Sequence, residues 1–317
     1  MKKISIIIPI YNEEESLPFL FDRLNSVTKK IENYAFEFLF VNDGSKDKTL
    51  EIIKEQRKID NRISYVDFSR NFGKEIAMIA GLDYVDSDAV IFMDADLQDP
   101  PELIGDFIKY WEQGYDDIYA KRKSRKGETF LKKFTSKMYY KVLQKLAGME
   151  IQKDTGDFRL IDRRCVNALK KLRESQRCTK SMFSWIGYKK KEVLYDRDPR
   201  IAGKTKWNYI NLINLAIDGI TSFTTSPLRL ATYISIPTFA LLIGYFIYVI
   251  AKCIITNGPI HAFQAIILLV LFFSGIQILL FGIIGEYLGR IFLETKNRPL
   301  YLVNEYNDIK EKNEERV

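Results

Sequence analysis

Two long uncharged stretches constrain the fold of this chain most. No charged residue occurs from Leu230 to Ala251 or from Ala262 to Gly285. Each stretch reaches the roughly 20 residues that a helix needs to cross a bilayer. Both lie too far along the chain to be a signal peptide. We therefore predict two transmembrane helices, over about 230–251 and 262–285, within an anchor segment 228–292.

Basic residues beside these stretches predict their orientation. The intervening loop, 252–261, carries one lysine, whereas three basic residues flank each stretch on its other side. These are Lys204, Lys206 and Arg229 before the first stretch, and Arg290, Lys296 and Arg298 after the second. Because basic flanks remain cytoplasmic, we expect both termini and the bulk of the chain to lie in the cytoplasm.

Charge and residue types narrow the chemistry. The formal net charge is +7, and basic residues are dense between 121 and 145. Nothing resembles a groove-reading or base-stacking module, so anionic lipid is a better expected partner than nucleic acid. The three cysteines show no CxxC spacing, and the only histidine, His261, falls in the loop between the spans. Carboxylates, amines and a metal ion must therefore carry any catalysis.

Apolar strands alternate with helical segments in the first hundred residues. The strands are Ile4–Ile10, Phe36–Val41, Ile63–Phe68 and Ala89–Met93. This alternation predicts an α/β fold with a parallel sheet, in which ligands bind at the carboxyl ends of the strands. Neither a G-x-G-x-x-G after the first strand nor a P-loop motif occurs, which disfavours a dinucleotide cofactor.

Two carboxylates follow the fourth strand. Residues two apart on an extended chain point to the same side, so Asp94 and Asp96 can meet one ion, with Gln98 just beyond. Oxygen ligands of this kind suit Mg2+ or Mn2+, shared with substrate phosphates. The residues alone leave a second interpretation open, in which this is a solvated acidic turn that caps the next helix.

A family resemblance becomes specific when the motifs are taken together. The chain contains, in order, I-I-I-P-I-Y-N-E-E, V-N-D-G-S-K-D-K-T, S-R-N-F-G-K-E, M-D-A-D-L-Q-D-P-P-E, T-G-D-F-R-L and R-I-A-G-K-T-K-W. With the two apolar stretches, they resemble family 2 glycosyltransferases of the polyisoprenyl-phosphate glucosyltransferase type, relatives of dolichyl-phosphate mannose synthase. The resemblance covers Met1 to about Arg298. It implies a Rossmann-like GT-A nucleotide-sugar-binding domain with a mostly parallel sheet over 1–209.

The resemblance also implies a donor site. Pro9, Tyr11 and Glu13 would lie beside the base and ribose, Asp43 would accept a hydrogen bond from the base, and Arg122 would face the pyrophosphate. Asp94, Asp96 and Gln98 would hold Mg2+ or Mn2+ against the donor phosphates. Packing alone for Tyr11, and a solvated basic run for Arg122, are the structural alternatives.

The remaining expected site residues concern the acceptor. Asp157 joins Asp94 and Asp96 as a catalytic carboxylate, either as a base or by orienting a substrate. Phosphate monoesters have a second pKa near 6, which favours orientation because the acceptor is already a dianion at neutral pH. A structural turn carboxylate is the alternative. Lys132, Arg200 and Lys206 are the expected ligands of the lipid phosphate, with ordinary juxtamembrane charge as their alternative.

The resulting expectation is a membrane enzyme of the bacterial inner membrane. It would transfer glucose from UDP-glucose to undecaprenyl phosphate with inversion, act from the cytoplasmic face and assemble as a tetramer, by resemblance. An interfacial helix over 210–227 and a cytoplasmic tail over 293–317 would flank the anchor. GDP-mannose, a UDP-N-acetylhexosamine or a modified pentose is an alternative donor. A catalytically silent nucleotide-binding scaffold is the alternative from another class.

Overall fold

The structure of the protein is a computed structural model that describes residues 1–123, 155–174, 179–196 and 263–307, together with isolated helical positions between 237 and 255. The chain divides into two compact units. The first comprises Met1–Ala216 and Pro299–Val317, and the second comprises Ile217–Arg298.

The first unit is built on an eight-stranded sheet with helices on its connections. The strands are β1 (Lys2–Ile10), β2 (Tyr34–Asn42), β3 (Ile63–Phe68), β4 (Ala89–Phe92), β5 (Asp117–Arg122), β6 (Thr155–Asp162), β7 (Lys190–Tyr195) and β8 (Val303–Asn307). The helices are α1 (Leu17–Thr28), α2 (Thr49–Ile59), α3 (Lys74–Asp83), α4 (Ile104–Glu112, after a 3-10 turn at Pro101–Leu103), α5 (Arg163–Lys170) and α6 (Thr179–Trp185).

The strand order is β7-β5-β6-β4-β1-β2-β3-β8. β1 pairs in parallel with β2 and β4, β2 with β3, and β5 with β7. β6 is antiparallel to β4 and β5, and β8 is antiparallel to β3. Six strands therefore share one direction, which confirms the predicted α/β fold with a mostly parallel sheet. Their carboxyl ends, with the amino ends of β6 and β8, form one edge of the sheet, called the carboxyl edge below.

The central strand explains why the sheet can be buried on both faces. Ile4, Ile6, Ile7 and Ile8 of β1 are fully buried, and β1 lies between two parallel neighbours. Strands covered on both faces are continuously apolar rather than alternating, because each side chain faces a layer of helices. Burial of each isoleucine contributes about 1.5–3 kcal/mol of favourable transfer free energy. The buried side chains of β1 therefore stabilise the centre of the sheet.

A buried ion pair joins the antiparallel strand β6 to its neighbour β5. Arg159 Nη1 lies 3.2 Å from Asp117 Oδ2, and both side chains are fully buried. The guanidinium also stacks 3.8 Å from the centre of the Phe183 ring on α6. Removal of either charge would leave an uncompensated charge buried in the sheet, which is strongly destabilising.

The second unit contains a long apolar helix, α7 (Phe263–Thr295), of 33 residues. In the described part of the chain, Ile276–Thr295 is the one segment with the length and apolar character of a membrane span. The helix thus continues ten residues past the predicted end at 285, and its first charged residues, Glu286 and Arg290, pair at 2.9 Å. The first predicted span, 230–251, lies outside the described residues apart from isolated positions, so the two-helix anchor stays a prediction.

Close packing of α3 on β1 generates a stability prediction. A Cβ added at Gly81 would lie 2.4 Å from Ile7 Cγ2, whereas one added at Gly105 in α4 would meet no heavy atom within 4 Å. We expect Gly81→Ala to lower the free energy of unfolding by about 1–3 kcal/mol through overpacking. Gly105→Ala should leave it unchanged or raise it by up to about 1 kcal/mol. Denaturant midpoints of the full chain in detergent measure both, and equal midpoints for the two variants would contradict the prediction.

Candidate active site

The predicted site residues in the described part of the chain gather at the carboxyl edge. Asp43 directly follows β2, Asp94 and Asp96 follow β4, and Arg122 ends β5. Asp157 belongs to the amino end of β6, which lies at the same edge because β6 runs antiparallel to β4. Polar groups separated by more than a hundred residues in the sequence thus converge on one region of the sheet.

The acidic motif after β4 lies in a turn rather than on the strand. β4 ends at Phe92, so the alternation expected of a strand is not what positions the two carboxylates. The turn contains Leu97 in the left-handed region, with φ 57°. The Asp96 carboxylate accepts a hydrogen bond from the backbone N–H of Gln98 at 3.2 Å. Exposure nevertheless alternates along the turn. The predicted metal ligands Asp94, Asp96 and Gln98 are partly exposed, and the residue after each of them is buried.

Lys74, the first residue of α3, links the acidic turn to β6. Its Nζ lies 2.6 Å from Asp94 Oδ1 and 2.5 Å from Asp157 Oδ2. The pairing of Phe92 with Arg159 explains the approach, since the same register continued by two residues brings position 94 opposite position 157. Sequence analysis missed Lys74, although it is the lysine of the S-R-N-F-G-K-E motif that follows β3.

Asp94 has the character of a cation ligand. Its Oδ1 is buried and lies 2.6 Å from the Lys74 ammonium. Across the described ranges, no three His, Cys, Asp or Glu side chains come together as a metal site. The chain offers two carboxylates and the Gln98 amide, which fits a Mg2+ or Mn2+ ion that takes further oxygens from phosphates and water.

The charges around Lys74 fix its protonation and that of Asp157. Burial raises the pKa of Asp157, but the positive charges of Lys74 and Lys180 lower it by more. The pKa therefore lies below the ordinary value for an aspartate. Desolvation lowers the pKa of Lys74, and Asp157 and Asp94 outweigh it and hold that pKa above the ordinary value. Asp157 is therefore ionised and a weak proton acceptor, and Lys74 is a fixed positive charge.

Glu75 is a second group that sequence analysis missed. Burial, and then the Asp157 charge, raise its pKa to about 7. Its carboxylate accepts a hydrogen bond from the backbone N–H of Thr179 at 2.6 Å and so links the start of α6 to α3. This contact is visible only in the folded structure, because Glu75 and Thr179 are 104 residues apart in the sequence.

Asp43 joins two loops of the carboxyl edge. It is buried, and its two carboxylate oxygens accept hydrogen bonds from the amides of Phe72 (2.6 Å) and Gly73 (2.9 Å) in the loop after β3. Burial raises the pKa of Asp43, while these amides lower it. Gly44 completes the contact, since its φ is +67° and an added Cβ would lie 2.6 Å from the Arg70 carbonyl carbon. The expected contact of Asp43 with a base stays a prediction.

The segment after β1 faces the same edge. Pro9 lies within β1, and Tyr11, 36% exposed, follows the strand. The backbone of Asn12 is left-handed, with φ 55°, and its N–H donates a hydrogen bond to Ser45 Oγ at 2.9 Å. The Glu13 carboxylate accepts a hydrogen bond from Ser16 at 2.7 Å, at the start of α1. The backbone beside Tyr11 is thus attached to the loop that follows β2.

Arg122 is oriented by a tyrosine of the neighbouring strand. It pairs with Tyr195 in the β5–β7 register and donates a hydrogen bond to the Tyr195 hydroxyl, which in turn donates to the buried Asp99 carboxylate. Arg122 Nε is buried and has no hydrogen-bond partner among the described residues. Tyr195 therefore links Arg122 to the buried carboxylate of Asp99.

Three predicted residues, Lys132, Arg200 and Lys206, lie outside the described residues, as does the basic amphipathic segment 128–147. Their expected contact with a lipid phosphate stays a prediction.

Comparisons with known proteins identify the family. The family described as glycosyl transferase family 2 matches residues 5–169, and the family described as the GtrB C-terminal hairpin matches residues 226–291. An uncharacterised glycosyltransferase of Synechocystis is 48% identical over 303 residues, which are 96% of this chain and 95% of that protein. The chain belongs to glycosyl transferase family 2. It is an α/β enzyme with a GT-A-like fold.

Two further proteins resemble this glycosyltransferase. The bactoprenol glucosyl transferase of Shigella phage SfX is 40% identical over 301 residues, 95% of this chain and 98% of that protein. A mannosyltransferase of Pyrobaculum calidifontis, solved in complex with GDP-Man and Mn2+, is 13% identical with a TM-score of 0.46, over 90% of this chain and 87% of that one.

The raised pKa of Glu75 generates a pH prediction for the glycosyltransferase. A carboxyl group that titrates near 7 in the folded state and near 4.5 in the unfolded state gives the folded state more bound protons between these values. Stability therefore falls as pH rises through this window, by on the order of 2 kcal/mol, and Glu75→Gln should remove this loss.

Melting temperatures of the full chain at pH 5 and pH 7.5 test the prediction. Glu55→Gln, a change at an exposed position of α2, should keep the wild-type pH dependence. If Glu75→Gln also keeps it, Glu75 does not titrate in this window.

Proposed function

We propose that this glycosyltransferase moves glucose from UDP-glucose to undecaprenyl phosphate, giving polyprenyl-phosphate β-glucose and UDP. The observation that carries the proposal is the cluster at the carboxyl edge, where Lys74 joins Asp94 to Asp157. The name of the Shigella phage relative, a bactoprenol glucosyl transferase alike along nearly its whole length, supports the choice of acceptor and sugar.

We propose that the enzyme works at the cytoplasmic face of a bacterial inner membrane as a tetramer. The catalytic domain would span 1–209, followed by the interfacial helix 210–227, the two-helix anchor 228–292 and the tail 293–317, whose strand β8 returns to the sheet of the catalytic domain. The match of 226–291 to a hairpin family and the apolar length of α7 support two spans. Lys132, Arg200 and Lys206 would bind the acceptor phosphate.

Donor binding would use the loops of the carboxyl edge. Pro9, Tyr11, Glu13 and Asp43 would contact the nucleoside, and Arg122 would donate a hydrogen bond to the pyrophosphate. Two carboxylates and one amide, those of Asp94, Asp96 and Gln98, would hold Mg2+ or Mn2+. When bound, the ion neutralises charge that develops on the departing diphosphate.

Glucose transfer needs one bond to form and one to break. An oxygen of the acceptor phosphate attacks the anomeric carbon from the side opposite the diphosphate, and the bond to the diphosphate oxygen breaks with its electron pair leaving on UDP. Attack from the opposite side inverts the anomeric centre, so an α-linked donor gives a β-linked product. Because the attacking phosphate is already a dianion near neutral pH, no protein base is needed. The ionised Asp157 and the Lys74 charge would then orient the reactants.

A donor panel tests the proposal directly. Purified enzyme in detergent is incubated with undecaprenyl phosphate, Mn2+ and radiolabelled UDP-glucose, GDP-mannose or a UDP-N-acetylhexosamine, and lipid-extractable label is counted. We expect product from UDP-glucose, and a loss of about 100-fold or more in Asp96→Ala, because a metal ligand is removed. Product from GDP-mannose alone overturns the donor assignment. Unchanged product formation by Asp96→Ala overturns the role of the acidic turn.

Asp157→Asn separates orientation from proton transfer. We expect kcat to fall about 100-fold, since a charge that acts on the transition state is lost. In both enzymes kcat should rise through about pH 6, following the second ionisation of the acceptor phosphate. Measured kcat profiles from pH 5 to 8.5 decide, and a midpoint moved by more than about one unit in the variant would identify Asp157 as a titrating base.

A further inference from the structure

We propose that the start of the β8 region, Tyr301 to Asn304, belongs to the donor site, and that Asn304 is a positioning residue for the loops that bind the nucleotide. This inference rests on the proposed function. Asn304 lies outside both segments that match known families, 5–169 and 226–291. Neither family match therefore assigns it a role.

Asn304 contacts a buried carboxylate beneath the carboxyl edge. Its Nδ2 donates to Asp67 Oδ2 at 2.9 Å, and Asn42 Nδ2 donates to Asp67 Oδ1 at 2.7 Å. Asp67 and Asn42 are 5% and 1% exposed, at the ends of β3 and β2. If Asp67 loses one of its two amide partners, its desolvation is no longer fully compensated. Because Asn42 binds the same carboxylate, a change at position 304 also affects Asn42.

Hydrogen bonds continue from Asn42 to the segment that holds Tyr11 and Glu13. Ser45 Oγ donates a hydrogen bond to Asn42 Oδ1 at 2.5 Å and accepts one from the backbone N–H of Asn12 at 2.9 Å. Asn12 Oδ1 in turn accepts from the Lys46 amide at 2.8 Å. Asn12 occupies a left-handed conformation, which asparagine tolerates better than most residues and which these hydrogen bonds stabilise. The series Asn304, Asp67, Asn42, Ser45 and Asn12 is called the amide relay below.

A second set of contacts reaches the loop after β3. The Ser69 amide donates to the Leu302 carbonyl at 3.0 Å, and the Tyr301 ring stacks on Phe68 with centroids 5.1 Å apart and planes 20° from parallel. Phe68 meets the Phe72 ring edge-on at 5.6 Å. Since the Phe72 amide is bound by Asp43, both donor loops are supported from the same short segment.

The chemical consequence concerns the nucleotide rather than the reacting sugar. The relay ends at the loops proposed to hold base and ribose, whereas Asp94 and Asp157 are held by Lys74 from α3. A change at Asn304 should therefore weaken donor binding and leave turnover of the bound donor nearly intact. This split distinguishes a positioning role from general destabilisation, which would lower the amount of active enzyme and leave the donor KM unchanged.

Full-length enzyme in detergent is titrated calorimetrically with UDP in the presence of Mn2+, and donor KM and kcat are measured with UDP-glucose. We expect Asn304→Ala to raise both the UDP Kd and the donor KM by about 3–10-fold, with kcat within about 2-fold of wild type. Glu305→Gln is the matched control on β8, because the Glu305 side chain contacts Lys54 and Tyr65 rather than a side chain of the relay. It should bind UDP as the wild type does.

A charge rearrangement keeps the test independent of simple misfolding. Asn304→Asp should weaken UDP binding more than Asn304→Ala does, because two carboxylates then face each other at Asp67. Adding Asp67→Asn restores an amide–carboxylate pair and still leaves an oxygen for Asn42, so the double variant should recover at least half of the lost binding energy.

The results separate two failures. If the wild type binds no UDP, the proposed donor is wrong. If it binds UDP and the Asn304 variants bind equally well, or if the double variant shows no recovery, the positioning role is wrong.

Discussion

Carboxylates that converge on one edge of a sheet repel each other, and this enzyme's edge depends on the cations that offset the repulsion. Asp94 and Asp157 come from different strands and are held together by one ammonium group, that of Lys74. The arrangement sets the protonation states on which the proposed chemistry relies, with Asp157 ionised and Lys74 charged. It also defines a place already suited to positive charge, which is the property a metal-assisted transfer needs.

The strand direction decides which residues can take part. Because six of the eight strands run the same way, polar ends that are far apart in the sequence gather at one edge of the sheet. β6 contributes from its amino end only because it is antiparallel, which brings the T-G-D segment opposite the acidic turn. The site therefore follows from the order β5-β6-β4-β1-β2 in the sheet, an order that differs from the order along the chain.

Much of this was readable in the sequence. Apolar runs that alternate with helical segments indicated β1 to β4, and the acids after the second and fourth runs indicated the edge of the sheet where Asp43, Asp94 and Asp96 lie. Lys74, Glu75 and Asn304 were not foreseen, because each acts on a partner 20 to more than 200 residues away, and chain separation carries no local signal for such contacts. The left-handed conformation of Leu97 in the turn after Phe92 was also not foreseen, since residue type does not predict that conformation for a leucine.

The pairing of β8 with β3 affects how the chain folds as it is made. β3 is the outermost of the parallel strands until residues 303–307 arrive, and those residues are synthesised after the whole apolar segment. A strand left unpaired at a sheet edge is open to wrong partners. The outer edge of β3 therefore gains its partner strand only after α7 has been synthesised.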